Sequence, residues 1–261
     1  MKNKNINIYV FSGTGNTLLI AKKISEFFNN NYYVSTVHRL EAVNPKTINL
    51  DSTIGIGFTV ACWNTYPFVR KWIDDLPNGN GTEIFLFNSM GDSSLKMISH
   101  ISKILQKKDY IVIASKEFVM PNNFLLIEND KKKELKLNKT LPKVKDFAKS
   151  IAENNCSVVK SNIISSIFFI ITTFIISLWE IRISQKFIKF KIDKSKCNKC
   201  NVCIDICPVE NISMRNYPEF SMHCQFCLRC ISYCPQKAIQ SHLLYKNKTH
   251  TGLSLGDIRW K

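Results

Sequence analysis

Phe11-Ser12-Gly13-Thr14-Gly15-Asn16-Thr17 closes the β-branched run Ile6–Phe11 and leads straight into a stretch of helical period, Asn16–Phe28. Two glycines let the backbone approach an anion. The hydroxyls of Ser12, Thr14 and Thr17 can donate hydrogen bonds, and the helix start offers free N–H groups at the positive end of its dipole. The segment therefore reads as a phosphate cradle, with a tight turn before a capped helix as the plainer alternative. Leu18 stands where the third glycine of GxGxxG belongs, so no nicotinamide dinucleotide site is recognised, and no GK[ST] follows for a Walker A loop. With neither Lys nor Arg in it, the loop suits a phosphate monoester better than a dinucleotide or a triphosphate.

Outward from this loop, short apolar runs (Tyr32–Val37, Thr53–Phe58, Glu83–Phe87, Tyr110–Ala114) alternate with helical stretches (Pro67–Leu76, Ser94–Lys107, Leu141–Glu153). Five strands alternating with helices predict an α/β fold, a doubly wound parallel sheet. Lys131–Lys133 are expected in a solvated loop.

The 261 residues, 45% of them apolar, are enough for one large or two ordinary domains with real cores. The formal charge of +16 divides into +8 before and +8 after residue 150, so no segment stands out as a nucleic-acid-binding arm. No helix-turn-helix or other nucleic-acid module is recognisable, and no nucleic-acid partner is expected. Of ten cysteines, eight crowd into residues 197 to 234, and the amino terminus MKNKNINIYV does not read as a signal peptide. A disulfide-stapled secreted domain is thereby disfavoured, and a metal or redox site in a reducing, cytoplasmic setting is expected.

Those eight cysteines form a duplication. Cys197, Cys200, Cys203 and Cys207 recur, 27 residues on, as Cys224, Cys227, Cys230 and Cys234, with proline after the fourth of each set. Three cysteines at three-residue spacing wrap one cuboidal cluster, and the fourth is carried away to the other. The expected sets are Cys197, Cys200, Cys203 with Cys234, and Cys224, Cys227, Cys230 with Cys207. Zinc is the alternative, but zinc sites use paired CxxC units with a longer gap. Residues 190 to 242 resemble the bacterial-type ferredoxins that carry two [4Fe-4S] clusters. Asn201 tolerates left-handed backbone, whereas Leu228 stands where many of those ferredoxins have glycine. Phe226 and Tyr233 are read as packing residues, with an electron path as the alternative.

With Ala21 and Ile24 behind it, FSGTGNT resembles the FMN-phosphate loop of flavodoxins, a likeness spanning residues 5 to 153 in which Val10 replaces a frequent aromatic. The resemblance implies FMN, bound through Ser12, Gly13, Thr14, Gly15, Asn16 and Thr17. It also implies two loops around the isoalloxazine ring, Thr59–Tyr66 and Asn88–Ser93. Trp63 and Tyr66 would stack on the ring, with core packing as the alternative for each, and Asn64, Asn88, Ser89 and Gly91 would supply polar or backbone contacts. Cys62 and Cys156 read as small apolar fillers.

The whole chain is thus similar to flavodoxin–ferredoxin fusions of anaerobic bacteria, which Met120-Pro121-Asn122-Asn123 also resembles. The implied layout is a flavodoxin-like domain over residues 1–155, a hydrophobic helical linker over 156–190, a small α+β ferredoxin domain over 191–243 and a tail over 244–261. The implied function is electron transfer between two [4Fe-4S] clusters, an FMN and a redox partner, which the basic charge suggests is acidic. A flavin-dependent reductase and a redox-responsive binding protein are the alternatives. For the reductase, His38 and His100 are the few candidate proton donors, and both read better as ordinary histidines. Residues 161–179 carry no formal charge over nearly the length of a bilayer span, and three placements are open: a buried linker helix, peripheral membrane contact and a single span. Whether the final stretch packs back on the first domain is undecided by sequence.

Overall fold

The computed structural model describes residues 4–61, 63–123, 128–160, 166–167, 169–174, 190–241 and 252–258. Its first part is a parallel sheet of β1 (Asn5–Val10), β2 (Val34–Arg39), β3 (Thr53–Thr59), β4 (Glu83–Met90) and β5 (Ile111–Val119) in the order β2-β1-β3-β4-β5. This is the flavodoxin-like doubly wound order, whose switch point lies between β1 and β3. Strands covered on both faces must be apolar throughout, and β3 is buried from Thr53 to Phe58.

Helices α1 (Asn16–Asn29) and α4 (Asp130–Ala152) cover one face through Leu18, Ile20, Ile24, Phe28, Val144, Phe147 and Ile151. Helices α2 (Pro67–Asp74) and α3 (Met97–Lys107) cover the other through Val69, Trp72, Ile73, Ile98, Ile101 and Leu105. One expectation is corrected here. Lys131–Lys133 form the first turn of α4 rather than a loop, because the Asn129 side chain caps the helix by accepting from Lys132 N (2.9 Å) and Pro142 is tolerated within it.

The second part consists of the antiparallel ribbon β6 (Phe190–Ile192) with β9 (Ile239–Ser241), the hairpin β7 (Ile212–Met214) with β8 (Pro218–Phe220), and two single-turn helices, α5 (Val202–Asp205) and α6 (Arg229–Ser232). The 27-residue duplication is also present in the backbone. Positive φ occurs at Lys199 and Phe226, at Asn201 and Leu228, and at Glu210 and Lys237. Val202, Ile206 and Tyr233 extend the core beneath α1, so the two parts share apolar packing.

Residues 252–258, which include α7 (Leu255–Ile258), pack back on the first domain. Gly252 N donates to Thr14 O (2.8 Å), Leu253 packs against the core, and Lys22 pairs with Asp257. Of the apolar run 161–179, residues 161–165, 168 and 175–179 lie outside the described residues. In its described part, the Phe169 ring stacks on His100 at 4.3 Å and Thr173 Oγ1 accepts from Asn64 Nδ2 (3.0 Å), while Ile167, Ile170 and Ile171 are exposed. No helix among the described residues is long and apolar enough to cross a membrane.

Candidate functional site

A cleft of about 370 Å³ opens at the carboxyl ends of the strands. That is the size of a small-ligand site, at the place where open α/β sheets bind ligands. Its walls come from the loops after β1 (Gly13, Thr14, Asn16), β3 (Thr59–Ala61, Trp63, Tyr66), β4 (Ser89–Ser93) and β5 (Met120–Asn123), and from Cys227 and Leu228 of the second domain.

The loop after β1 is held from several sides. Gly15, at φ 97°, begins α1 in a conformation that favours glycine, and its N–H donates to Ser12 Oγ (3.0 Å). Thr14 Oγ1 accepts from Asn123 Nδ2 (2.6 Å), and Asn16 Nδ2 donates to Pro121 O (2.9 Å). The cleft residue Asn16 keeps its Oδ1 buried without a partner, an acceptor suited to a hydroxyl or N–H of a bound molecule. A Cβ on Gly13 would lie 2.3 Å from the Cys227 carbonyl oxygen, so only glycine allows the cysteine loop this close to the phosphate loop.

The twelve flavin-site candidates separate by placement. Gly13, Thr14, Asn16, Trp63, Tyr66, Ser89 and Gly91 line the cleft. Ser12, Gly15, Thr17, Asn64 and Asn88 lie behind it. Thr17 is fully buried and shares hydrogen bonds with Thr59 Oγ1 (2.9 Å) and Ser89 Oγ (2.7 Å). Asn64 accepts from Thr65 N (2.8 Å), and Asn88 Nδ2 donates to Glu117 (3.0 Å). Tyr66 is 8% exposed with its ring against Phe11 (5.2 Å, edge-on), whereas Trp63 is 49% exposed at the mouth. His38, bonded to Asn7 (2.8 Å), and His100, stacked on Phe169, are not cleft residues. Cys62 lies outside the described residues, and Cys156 Sγ donates to Ile113 O (3.0 Å).

The eight remaining cysteines surround two small cavities, one lined by Cys197, Cys200, Cys203 and Cys234 and the other by Cys207, Cys224, Cys227 and Cys230. Among the described residues no three His, Cys, Asp or Glu side chains converge on a point that would hold a single metal ion. Sulfurs spread around a cavity fit a polynuclear cluster, in which each thiolate takes its own iron. Peptide N–H groups of Asn211, Phe226 and Ala238 donate to the sulfurs of Cys207 (3.2 Å), Cys224 (3.4 Å) and Cys234 (3.3 Å). Burial pushes the thiols of Cys203 and Cys224 up to about 11 and that of Cys227 up to about 12. Neighbouring thiols of the same quartet contribute to that rise, and a bound cationic iron would favour the thiolate form of these three.

Phe226 packs against Phe190 at 5.8 Å, and Tyr233 is buried in the shared core with its hydroxyl near Gly15. Sequence reasoning missed Arg229, Glu41 and Gln225. The Phe68 N–H at the start of α2 donates to Gln225 Oε1 (3.1 Å), and the guanidinium of Arg229 reaches Ser12 O (2.9 and 3.1 Å) and Glu41. No motif at either end signals these long-range contacts.

Fold and site define a flavodoxin-like domain joined to a small domain with two four-cysteine cavities. Residues 189–242 match the 4Fe-4S dicluster domain family, which assigns two [4Fe-4S] clusters to that part of the chain. No curated protein matches the chain. Among solved structures, an archaeal flavodoxin is 18% identical over 58% of this chain and 98% of its own, with a TM-score of 0.42. A Streptococcus pneumoniae TIGR4 flavodoxin is 15% identical over 57% and 97%, with a TM-score of 0.43. A Megasphaera elsdenii flavodoxin is 19% identical over 53% and 98%, with a TM-score of 0.39. At these levels the fold assignment rests on the strand order and register.

Proposed function

We propose that this chain is an electron-transfer protein that passes electrons between its two [4Fe-4S] clusters and an FMN held in the cleft, and exchanges them with an acidic redox partner in the cytoplasm. The observation that carries the reading is the composition of the cleft wall, in which the phosphate loop and Cys227, a cluster-cavity residue, face the same space. The clusters supply one-electron chemistry, and a flavin supplies one- or two-electron chemistry. The chain fixes their separation and burial. The start of α1 and the Thr14 hydroxyl would hold the phosphate, Trp63 and Tyr66 would lie against the ring, and Cys227 and Leu228 would close the cleft against water.

The cleft offers little for substrate chemistry. Asp92, the sole carboxylate among the described cleft residues, is highly exposed and lies 3.8 Å from Lys136. This weighs towards a carrier over a substrate-specific reductase. Anaerobically reconstituted protein is expected to hold about eight Fe, from two four-iron clusters on eight cysteines, together with one FMN per chain. A preparation that lacks both the eight Fe and the stoichiometric FMN would falsify the reading. Peripheral membrane contact is a second reading, favoured by the exposed Ile167, Ile170 and Ile171. Co-sedimentation with anionic phospholipid vesicles, lost in a variant with all three changed to Ser, is its test.

A further inference from the structure

Arg229 lies between Cys227 and Cys230 in the sequence, yet its guanidinium is 3% exposed and inserted into the first domain. Its Nε and Nη2 donate to the Ser12 carbonyl (3.1 and 2.9 Å), its Nη1 donates to Ile206 O (3.1 Å) and to Glu41, and its Cζ lies 4.8 Å from the centroid of the Phe11 ring. Glu41 is shared with Arg39 (2.9 Å), so the three side chains leave one net positive charge in the interior.

We propose that Arg229 is a positioning residue shared by both cofactor sites: it orients the Ser12–Gly13 peptide of the phosphate loop and places a fixed positive charge beside the Cys207/Cys224/Cys227/Cys230 quartet. Three steps lead there. First, a trans peptide is planar, with its C=O and N–H pointing opposite ways. Two guanidinium bonds that hold Ser12 C=O on the second-domain side therefore turn the Gly13 N–H the other way, and Gly13 is a wall of the cleft. The loop contains no basic residue, so its affinity for phosphate depends on how its N–H groups are aimed. Second, a charge in a low-dielectric interior acts strongly on its neighbours. A cluster becomes more negative on reduction, so the adjacent positive charge raises its potential, and Arg229 sits in the Cys227–Cys230 segment, which belongs to this quartet and not to the Cys197/Cys200/Cys203/Cys234 one. Third, Lys cannot replace Arg here. A single ammonium keeps the charge but not the planar fork that spans Ser12 O, Ile206 O and Glu41 at once.

This inference rests on the reading of the cleft as an FMN site. Its test uses the full-length reconstituted protein and three variants, Arg229→Met, Arg229→Lys and Glu41→Gln. FMN dissociation constants are measured by flavin fluorescence and cluster potentials by EPR-monitored redox titration. Arg229→Met is expected to weaken FMN binding by about 10- to 100-fold, the scale of losing a hydrogen bond to a charged group. It should also shift one cluster potential negative and leave the other in place. Arg229→Lys should weaken FMN binding similarly with little change in potential. Glu41→Gln, which removes a negative charge, should shift the same cluster positive, a reversal that mere loosening of the domains would not produce. FMN affinity within about twofold of the parent in Arg229→Lys or Arg229→Met, with unchanged potentials, overturns the proposal. If Arg229→Met loses its iron, the Lys and Gln variants decide it. A parent protein that takes up no FMN instead overturns the reading of the cleft, and this proposal with it.

Discussion

Two backbone approaches at the domain junction depend on single residues. At Gly13 any side chain meets main chain, 2.3 Å from the Cys227 oxygen, so no rotamer change can relieve the clash. Gly13→Ala is therefore expected to push the cysteine loop away from the phosphate loop while leaving both quartets intact. Iron content should stay near that of the parent, while the rate at which clusters reduce bound flavin in stopped-flow should fall, because electron tunnelling weakens as the two cofactors are moved apart. An unchanged rate would show that the junction yields elsewhere. Leu228 presents the opposite balance. Its φ of 61° costs an L-residue roughly 1–2 kcal/mol, but its side chain is 3% exposed in the second domain's core, a burial that contributes about 1.5–3 kcal/mol. Burial thus offsets the strain, which is why a leucine can hold this left-handed position.

At the scale of elements, the 3-10 turn Leu40–Ala42 after β2 ties the domains together through Glu41. Burial alone would raise its carboxyl, but Arg229 and Arg39 overcome that and hold it below the ordinary value of 4.5. A depressed carboxylate stabilises the fold fully above its unfolded pKa, and the contribution is lost as pH falls through the folded one. Glu41→Ala should cost about 3–5 kcal/mol at neutral pH, since it strands buried guanidinium charge. That gap should be constant from pH 8 to pH 5.5 and should close below about pH 4.5, the unfolded value. Thermal unfolding followed by tryptophan fluorescence measures it, and a gap already shrinking at pH 6 would contradict the assignment. The elements also show what a sequence displays. The sheet was legible because β3 and β4 are apolar on both faces and the loop after β1 has few alternative uses. The start of α4 was not, since Pro142 imitates a helix start and Lys131–Lys133 imitate a loop, and the Asn129 cap becomes evident only from its bond to Lys132 N. The return of residues 252–258 onto α1 depends on a backbone hydrogen bond to Thr14 and the Lys22–Asp257 pair, contacts that leave no local pattern.

For the whole molecule, the two quartets differ in what surrounds them. Cys227 borders the first domain and the cleft, whereas Cys200 is exposed to solvent. The spacing of the cysteines carried the quartets in the sequence, but which one faces the flavin site depends on Arg229, Gln225 and Gly13, contacts more than 150 residues apart along the chain. On the proposed reading, the quartet that includes the exposed Cys200 is the side from which a partner would approach. Lys194, Lys199 and Lys237 stand on the loops around it, with Lys194 and Lys199 over the Tyr217 ring at 5.5 and 4.9 Å. A positive rim around a surface cluster steers acidic proteins, an effect of about 10- to 1000-fold on association that fades with salt. Reversing all three lysines to Glu is therefore expected to slow electron exchange with an acidic flavodoxin by at least about tenfold at low ionic strength, with the difference shrinking as salt rises past a Debye length of about 10 Å. Exchange with a small neutral mediator should be unaffected. Equal slowing with both oxidants, or none with either, would place the exchange face elsewhere on the molecule.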